Sequence, residues 1–264
     1  MGLAEALLEL QSLTEQLRRE CAWDREQTAS TIVPHTVEEA YEVADAALAN
    51  DPSRLLDELG DLLFQVYFLA LLLEEQGQGD LAEVARGVHA KLVRRHPHVF
   101  GDADASTAGR VRERWEQIKT ADEGREGIFH DVPESLPALL YARKVQRRVV
   151  AVGYDWPDLS GPLAKLREEL DELAAEVGRD GRPLPETEPD SRVVDEIGDV
   201  LFTTVNLARL LNVDPELALR QTTRKFVARV ELAAEIAADR GEDWGALGLD
   251  DQERYYDAAK QALS

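Results

Sequence analysis

Glu38-Glu39-Ala40-Tyr41-Glu42, followed by Glu58-Leu59-Gly60-Asp61, returns as Glu168-Glu169-Leu170-Asp171-Glu172, followed by Glu196-Ile197-Gly198-Asp199. Both copies read EExxE…ExGD, and a double match of this detail marks a tandem duplication. Residues three or four apart share one face of a helix, so Glu39 and Glu42 are neighbours, as are Glu58 and Asp61. Asn50-Asp51-Pro52-Ser53 lies midway between the two acidic pairs. Asp51 is suited to cap a helix there and Pro52 to open it. An antiparallel hairpin turning at that point brings both pairs to the same height. In the second copy the midpoint falls in Gly178-Arg179-Asp180-Gly181-Arg182-Pro183-Leu184-Pro185, again a turn, and the longer connection keeps the same geometry.

Carboxylates that converge repel each other and stay ionised at low cost only around a cation. Ligands that are all oxygen suit a hard ion, Mg²⁺ or Mn²⁺. Mg²⁺ commonly completes its shell with water and substrate phosphates, so phosphate-ester or nucleotide chemistry is expected. The plainer alternative for the first copy is a helix start, with Thr36 as N-cap and Glu39 closing a capping box. No hydroxyl stands at the matching offset in the second copy, so that alternative does not explain the repeat. A glycine inside a helix costs about 1 kcal/mol relative to alanine. Its presence at both Gly60 and Gly198 predicts close helix–helix approach beside the acids.

Apolar residues recur at three- and four-residue spacing through most of the chain, and no alternating strand pattern appears. The expected fold is all-α, a tandem repeat of two domains of four-helix-bundle type. Helices are expected near 3–19, 36–49, 52–76, 80–95, 106–119, 137–151, 161–177, 190–211, 214–239 and 250–263. The polar, glycine-bearing stretch from Thr120 to Pro133 reads as a linker. The expected domains are 1–120 and 137–264, joined by 121–136. The repeat extends past the acids: Lys91 and Arg95 match Lys225 and Arg229 in spacing, and Trp115 and Lys119 match Tyr256 and Lys260. A basic pair on one helix face can grip triphosphate oxygens or make surface ion pairs. The aromatics can stack on a base or anchor a core. His96-Pro97-His98 with His89 lacks the partners of a zinc site. Cys21 has no activating base near it in sequence.

The chain has 264 residues, which suits two domains. Its formal charge of −22 argues against stable nucleic-acid binding, which needs a cationic surface. No apolar run reaches the ~18–20 residues of a membrane span. With no visible signal sequence and a single cysteine, a cytoplasmic location is expected.

The sequence resembles the MazG family of nucleoside triphosphate pyrophosphohydrolases, and its two-domain members above all. Besides the acidic motifs, the resemblance rests on Cys21-Ala22-Trp23-Asp24, Glu26-Gln27-Thr28 and Arg94-Arg95-His96-Pro97-His98-Val99-Phe100. It continues through Arg114-Trp115-Glu116-Gln117-Ile118-Lys119 and Gly153-Tyr154-Asp155-Trp156. It implies hydrolysis of a nucleoside triphosphate to a monophosphate and pyrophosphate. It places metal at Glu169, Glu172, Glu196 and Asp199, with Glu168 as general base or outer-shell ligand. Lys165, Arg192, Lys225 and Arg229 would contact the triphosphate; Tyr256, Lys260 and Lys119 would approach the nucleotide. Family members often carry Trp where this chain has Tyr256. In the first copy Glu39, Glu42, Glu58 and Asp61 match, but His35 stands where Lys165 stands, so the second copy is expected to be the active one. A homodimer is implied as well. Two alternatives differ in kind. A di-iron bundle needs Glu-x-x-His motifs, which these acidic motifs lack. A non-catalytic helical interaction or nucleotide-sensing module explains the repeat but not two matched acidic sets.

Overall fold

The computed structural model describes residues 2–101, 127–129, 132–177 and 190–263. The chain divides into two compact units, Met1–Glu123 and Gly124–Ser264. All regular elements among the described residues are helical.

The first unit contains α1 (Leu3–Glu20), α2 (Ala22–Glu26), α3 (Ala29–Leu48), α4 (Pro52–Glu75), α5 (Leu81–Arg95) and α6 (Pro97–Phe100). α3 and α4 form the acidic hairpin. Its turn uses the residues the sequence marks: Asn50 takes φ 52°, and Asp51 accepts from the backbone N–H groups of Ser53 and Arg54 at 3.1 Å each. α1 packs on α4. Arg18 fastens that contact with two bonds of 2.8 Å to Glu75, and its guanidinium lies 5.9 Å from the ring centre of Phe68. Phe68, Ile32 and Leu72 form the buried core of this hairpin.

The start of α3 corrects the sequence reading. The helix opens at Ala29, not near residue 36, and Thr28 is its N-cap, accepting from the backbone N–H of Thr31 at 3.3 Å. Thr31 returns the bond to the backbone N–H of Thr28 at 2.8 Å. The capping box is therefore Thr28–Thr31. Thr36 is inside the helix, where its hydroxyl lies 3.4 Å from both the Ile32 carbonyl and the Gln65 side-chain oxygen. Pro34 sits within the helix near its start. It removes one N–H from the ladder but does not break it, because tertiary packing outweighs a single lost bond.

The second unit contains α7 (Ala138–Ala151), α8 (Ser160–Val177), α9 (Ser191–Leu210), α10 (Pro215–Asp239), a 3₁₀ turn (Trp244–Ala246) and α11 (Leu249–Ala262). α8 and α9 form the second acidic hairpin, and α7 packs on α9 and α10. The turn from α9 to α10 repeats the chemistry of the first hairpin: Asn212 takes φ 57°, and Asp214 caps the helix that Pro215 opens. Ala233 and Ala237 of α10 lie against Tyr255 and Ala259 of α11, small residues that allow close contact. The close approach expected at Gly60 and Gly198 is not made among the described residues. A Cβ added at either glycine meets nothing within 4 Å.

Candidate metal and nucleotide site

The site in the second unit is built from α8 and α9. Asp158 stands before the start of α8, where the hydroxyl and backbone N–H of Ser160 hold its carboxylate below the usual range. Helical spacing then puts Lys165, Glu168, Glu169 and Glu172 on one side of α8. Lys165 Nζ lies 2.8 Å from Glu168 and 2.9 Å from Glu169, two bonds that raise the pKa of its ammonium. α9 supplies Glu196 and Asp199. Glu169, Glu196 and Asp199 each offer an oxygen within 4.8 Å of the others, and Glu169 is buried. Glu172 hydrogen-bonds Glu169 and faces Glu196, and its carboxyl is pushed up by that bond, then by burial and repulsion. The second cluster, in the first unit, joins Glu39, Glu58 and Asp61 within the same span. Burial and then the neighbouring Asp61 push Glu39 up.

Three converging carboxylate oxygens fit a hard divalent cation. A carboxyl raised in the folded state keeps its proton to a higher pH than free glutamate does. Cation binding therefore expels protons, and it weakens as pH falls through that raised range.

The two clusters differ in their surroundings. Beside the cluster of the second unit lies a pocket of about 700 Å³ to which Lys165, Glu169 and Asp199 also belong. Its wall includes Val149, Trp156, Phe202 and Asn206. Trp156 lies against the first turn of α8, where a Cβ at Gly161 would fall 2.1 Å from its ring. Arg209 reaches both Asp155 oxygens, one of them at 3.2 Å, and donates to Asn206 Oδ1 at 2.9 and 2.8 Å. In the first unit Phe68 stands seven residues after the motif's aspartate, where the second has Asn206, and Leu71 stands where the second has Arg209. Phe68 is only 1% exposed, a core residue at the position where the second unit has a pocket-lining amide. Arg54 also holds Glu58 at 2.9 Å, and His35, in the place of Lys165, lies 3.8 Å from Glu38.

The other residues expected at the site lie elsewhere. Arg192 pairs with Glu176 at 3.3 Å and Asp190 at 3.6 Å. Lys225 and Arg229 are on α10 and neither belongs to the acidic cluster nor lines the pocket. Tyr256 packs against the α10–α11 core and meets Phe226 at 5.8 Å between ring centres, the core-anchor alternative. Lys260 is exposed. Trp115 and Lys119 lie outside the described residues, as do 121–126 and 130–131 of the expected linker. Glu42 belongs to the first acidic group through its bond to Glu39. Sequence reasoning missed Gln146, Phe202, Asn206 and Arg209. The contrast between Phe68 and Asn206 at matched positions was the signal that could have found them.

The family model for the MazG nucleotide pyrophosphohydrolase domain matches this chain twice, over residues 27–100 and 160–232. The chain belongs to the MazG family. Each match contains one acidic hairpin, so each unit carries a MazG domain. The chain is 39% identical to the nucleoside triphosphate pyrophosphohydrolase of Escherichia coli strain K12, over 99% of this chain and 98% of the relative. It is also 39% identical to the nucleoside triphosphate pyrophosphohydrolase/pyrophosphatase MazG of Thermotoga maritima, over 96% and 94% of the two chains. No helix among the described residues is long and apolar enough to cross a membrane.

Proposed function

We propose that this chain hydrolyses nucleoside triphosphates, ribo- or deoxyribo-, to the monophosphate and pyrophosphate, and that the second MazG unit does the chemistry with Mg²⁺ or Mn²⁺. The observation that carries this reading is that Glu169 and Asp199 belong both to the carboxylate cluster and to the wall of the adjoining pocket. A nucleoside in the pocket would place its phosphates against the acids. Bound there by Glu169, Glu172, Glu196 and Asp199, the metal would neutralise phosphate charge and lower the pKa of the attacking water. Lys165, released from Glu168 and Glu169, would turn to a phosphate oxygen. Glu168, freed in the same exchange, would take the proton of the water that attacks the α-phosphorus. The bond broken is that between the α-phosphorus and the α–β bridging oxygen, and pyrophosphate leaves.

Product analysis tests the reading. Magnesium-dependent release of pyrophosphate and monophosphate is expected. Diphosphate and orthophosphate as first products, or full turnover in EDTA, would overturn it. For the first unit a non-catalytic role, as an interaction or nucleotide-sensing module, is favoured by the buried Phe68 and the pairing of Arg54 with Glu58.

The working form is a homodimer. Leu56, Leu59 and Leu63 on α4, and Val194, Ile197 and Leu201 on α9, are exposed at matched positions of the two repeats. These stripes flank Gly60 and Gly198, whose surroundings are open. Burying one such side chain contributes about 1.5–3 kcal/mol, so a second copy of this chain gains from covering them. Sedimentation at nanomolar concentration should show a dimer; an active monomer would count against it. Its free Cys21 suits the cytoplasm, and the net charge leaves nucleotides rather than nucleic acid as partners.

A further inference from the structure

We infer that Gln146 and Asn206 read the base of the nucleotide, Gln146 by accepting an N–H from it and Asn206 by donating to one of its acceptors. This rests on the proposal that the second unit binds a nucleoside triphosphate. Both residues line the pocket beside Glu169 and Asp199. Their amide orientations are fixed by what they already touch. Gln146 Nε2 donates to the Phe202 carbonyl at 2.8 Å, and a carbonyl can only accept, so the other end of the amide must be oxygen. That oxygen is buried without a hydrogen-bond partner, and the residue is 4% exposed. Asn206 Oδ1 accepts from Arg209 at 2.9 and 2.8 Å, and a guanidinium can only donate, so the Asn206 NH₂ is turned away from it. Arg209 is itself held by Asp155, which keeps the amide from flipping.

A buried orphan acceptor is costly unless a ligand completes it. Gln146 and Asn206 thus add one amide acceptor and one amide donor to a wall that carries Trp156 and Phe202 as apolar groups and Lys165, Glu169 and Asp199 as charged ones. A nucleobase has the matching chemistry: a flat apolar face, and an edge carrying an N–H beside a carbonyl oxygen or ring nitrogen. Adenine offers its exocyclic amine next to a ring nitrogen. Purine without that amine offers acceptors only, and would leave the Gln146 oxygen unpaired.

The test is titration calorimetry on the full chain with Mg²⁺, using α,β-methylene-ATP and the α,β-methylene triphosphate of purine riboside. The wild type should bind the adenine compound about tenfold or more tightly, because a site built to bond an N–H rejects the analogue that lacks it. Equal affinities would overturn the role of Gln146. Asn206→Asp keeps the acceptor that Arg209 needs and removes the donor. It should weaken α,β-methylene-ATP about tenfold while inorganic tripolyphosphate binds as before and the melting temperature is kept. Unchanged nucleotide affinity in this variant would overturn the role of Asn206. If tripolyphosphate and nucleotide both fail to bind the wild type, it is the nucleotide-binding proposal that falls. If both bind and neither variant nor analogue matters, only the base-reading inference falls.

Discussion

Asp199→Asn removes nearly all pyrophosphate release, while Asp61→Asn leaves most of it. The two aspartates hold the same position in their motifs, and both are exposed, so neither change disturbs a core. Asparagine keeps the size and one oxygen of the ligand but removes its charge. Metal-assisted polarisation is worth several kcal/mol, at about 1.4 kcal/mol for each factor of ten, so the loss at Asp199 should be about 10²–10⁴-fold in kcat. Glu172→Gln should behave alike, because its carboxyl shares the same group with Glu169 and Glu196. Glu42→Gln and Asp61→Asn should stay within about twofold, the margin of a change away from the chemistry. The expected asymmetry rests on Phe68, a buried core residue at the position where the second unit has the pocket-lining Asn206. Steady-state pyrophosphate release with saturating Mg²⁺ measures all four variants. A severe loss in Asp61→Asn with a mild one in Asp199→Asn would reverse the assignment of the units.

Features set by neighbours in sequence were legible without coordinates. Helix spacing put Glu39 beside Glu42, and Glu169 beside Glu172. The Asn-Asp-Pro run located the first turn, because left-handed Asn50, capping Asp51 and opening Pro52 are local chemistry. The start of α3 misled for the same reason: Thr36 and Glu39 read locally as a capping box, whereas the packing of Ile32 against Phe68 carries α3 back to Ala29. The pocket was not legible. Gln146, Trp156 and Asn206 come from α7, the segment before α8, and α9, and only tertiary packing brings them together. Tyr256 and the Lys225–Arg229 pair show what spacing leaves open. Their spacing was read correctly, but spacing says which face residues share, not what that face meets. Tyr256 meets Phe226 and the core of α10 and α11.

Gly161→Ala tests the pocket through its wall rather than through its polar groups. Gly161 lies in the first turn of α8, and no positive φ requires a glycine there. Alanine is the better helix former by about 1 kcal/mol, so the backbone alone would favour the change. What opposes it is Trp156. The new methyl would lie 2.1 Å from Cε3 and 2.5 Å from Cζ3 of the indole. Those are atoms of a rigid ring, so the whole ring must swing away. Overpacking of this kind costs about 1–3 kcal/mol, and here it falls on a wall of the pocket proposed for the nucleoside. The expected result is a KM for nucleoside triphosphate raised about tenfold, the equivalent of about 1.4 kcal/mol of binding. Mg²⁺ affinity should hold, because neither Gly161 nor Trp156 belongs to the acidic cluster. The cause is separable from any loosening of α8. If the methyl acts only by displacing the ring, Trp156→Ala should raise KM by a similar factor, and adding Gly161→Ala to it should change nothing further. Additive effects in the double variant, or an unchanged KM in Gly161→Ala, would mean that the indole is not a wall of the nucleotide site.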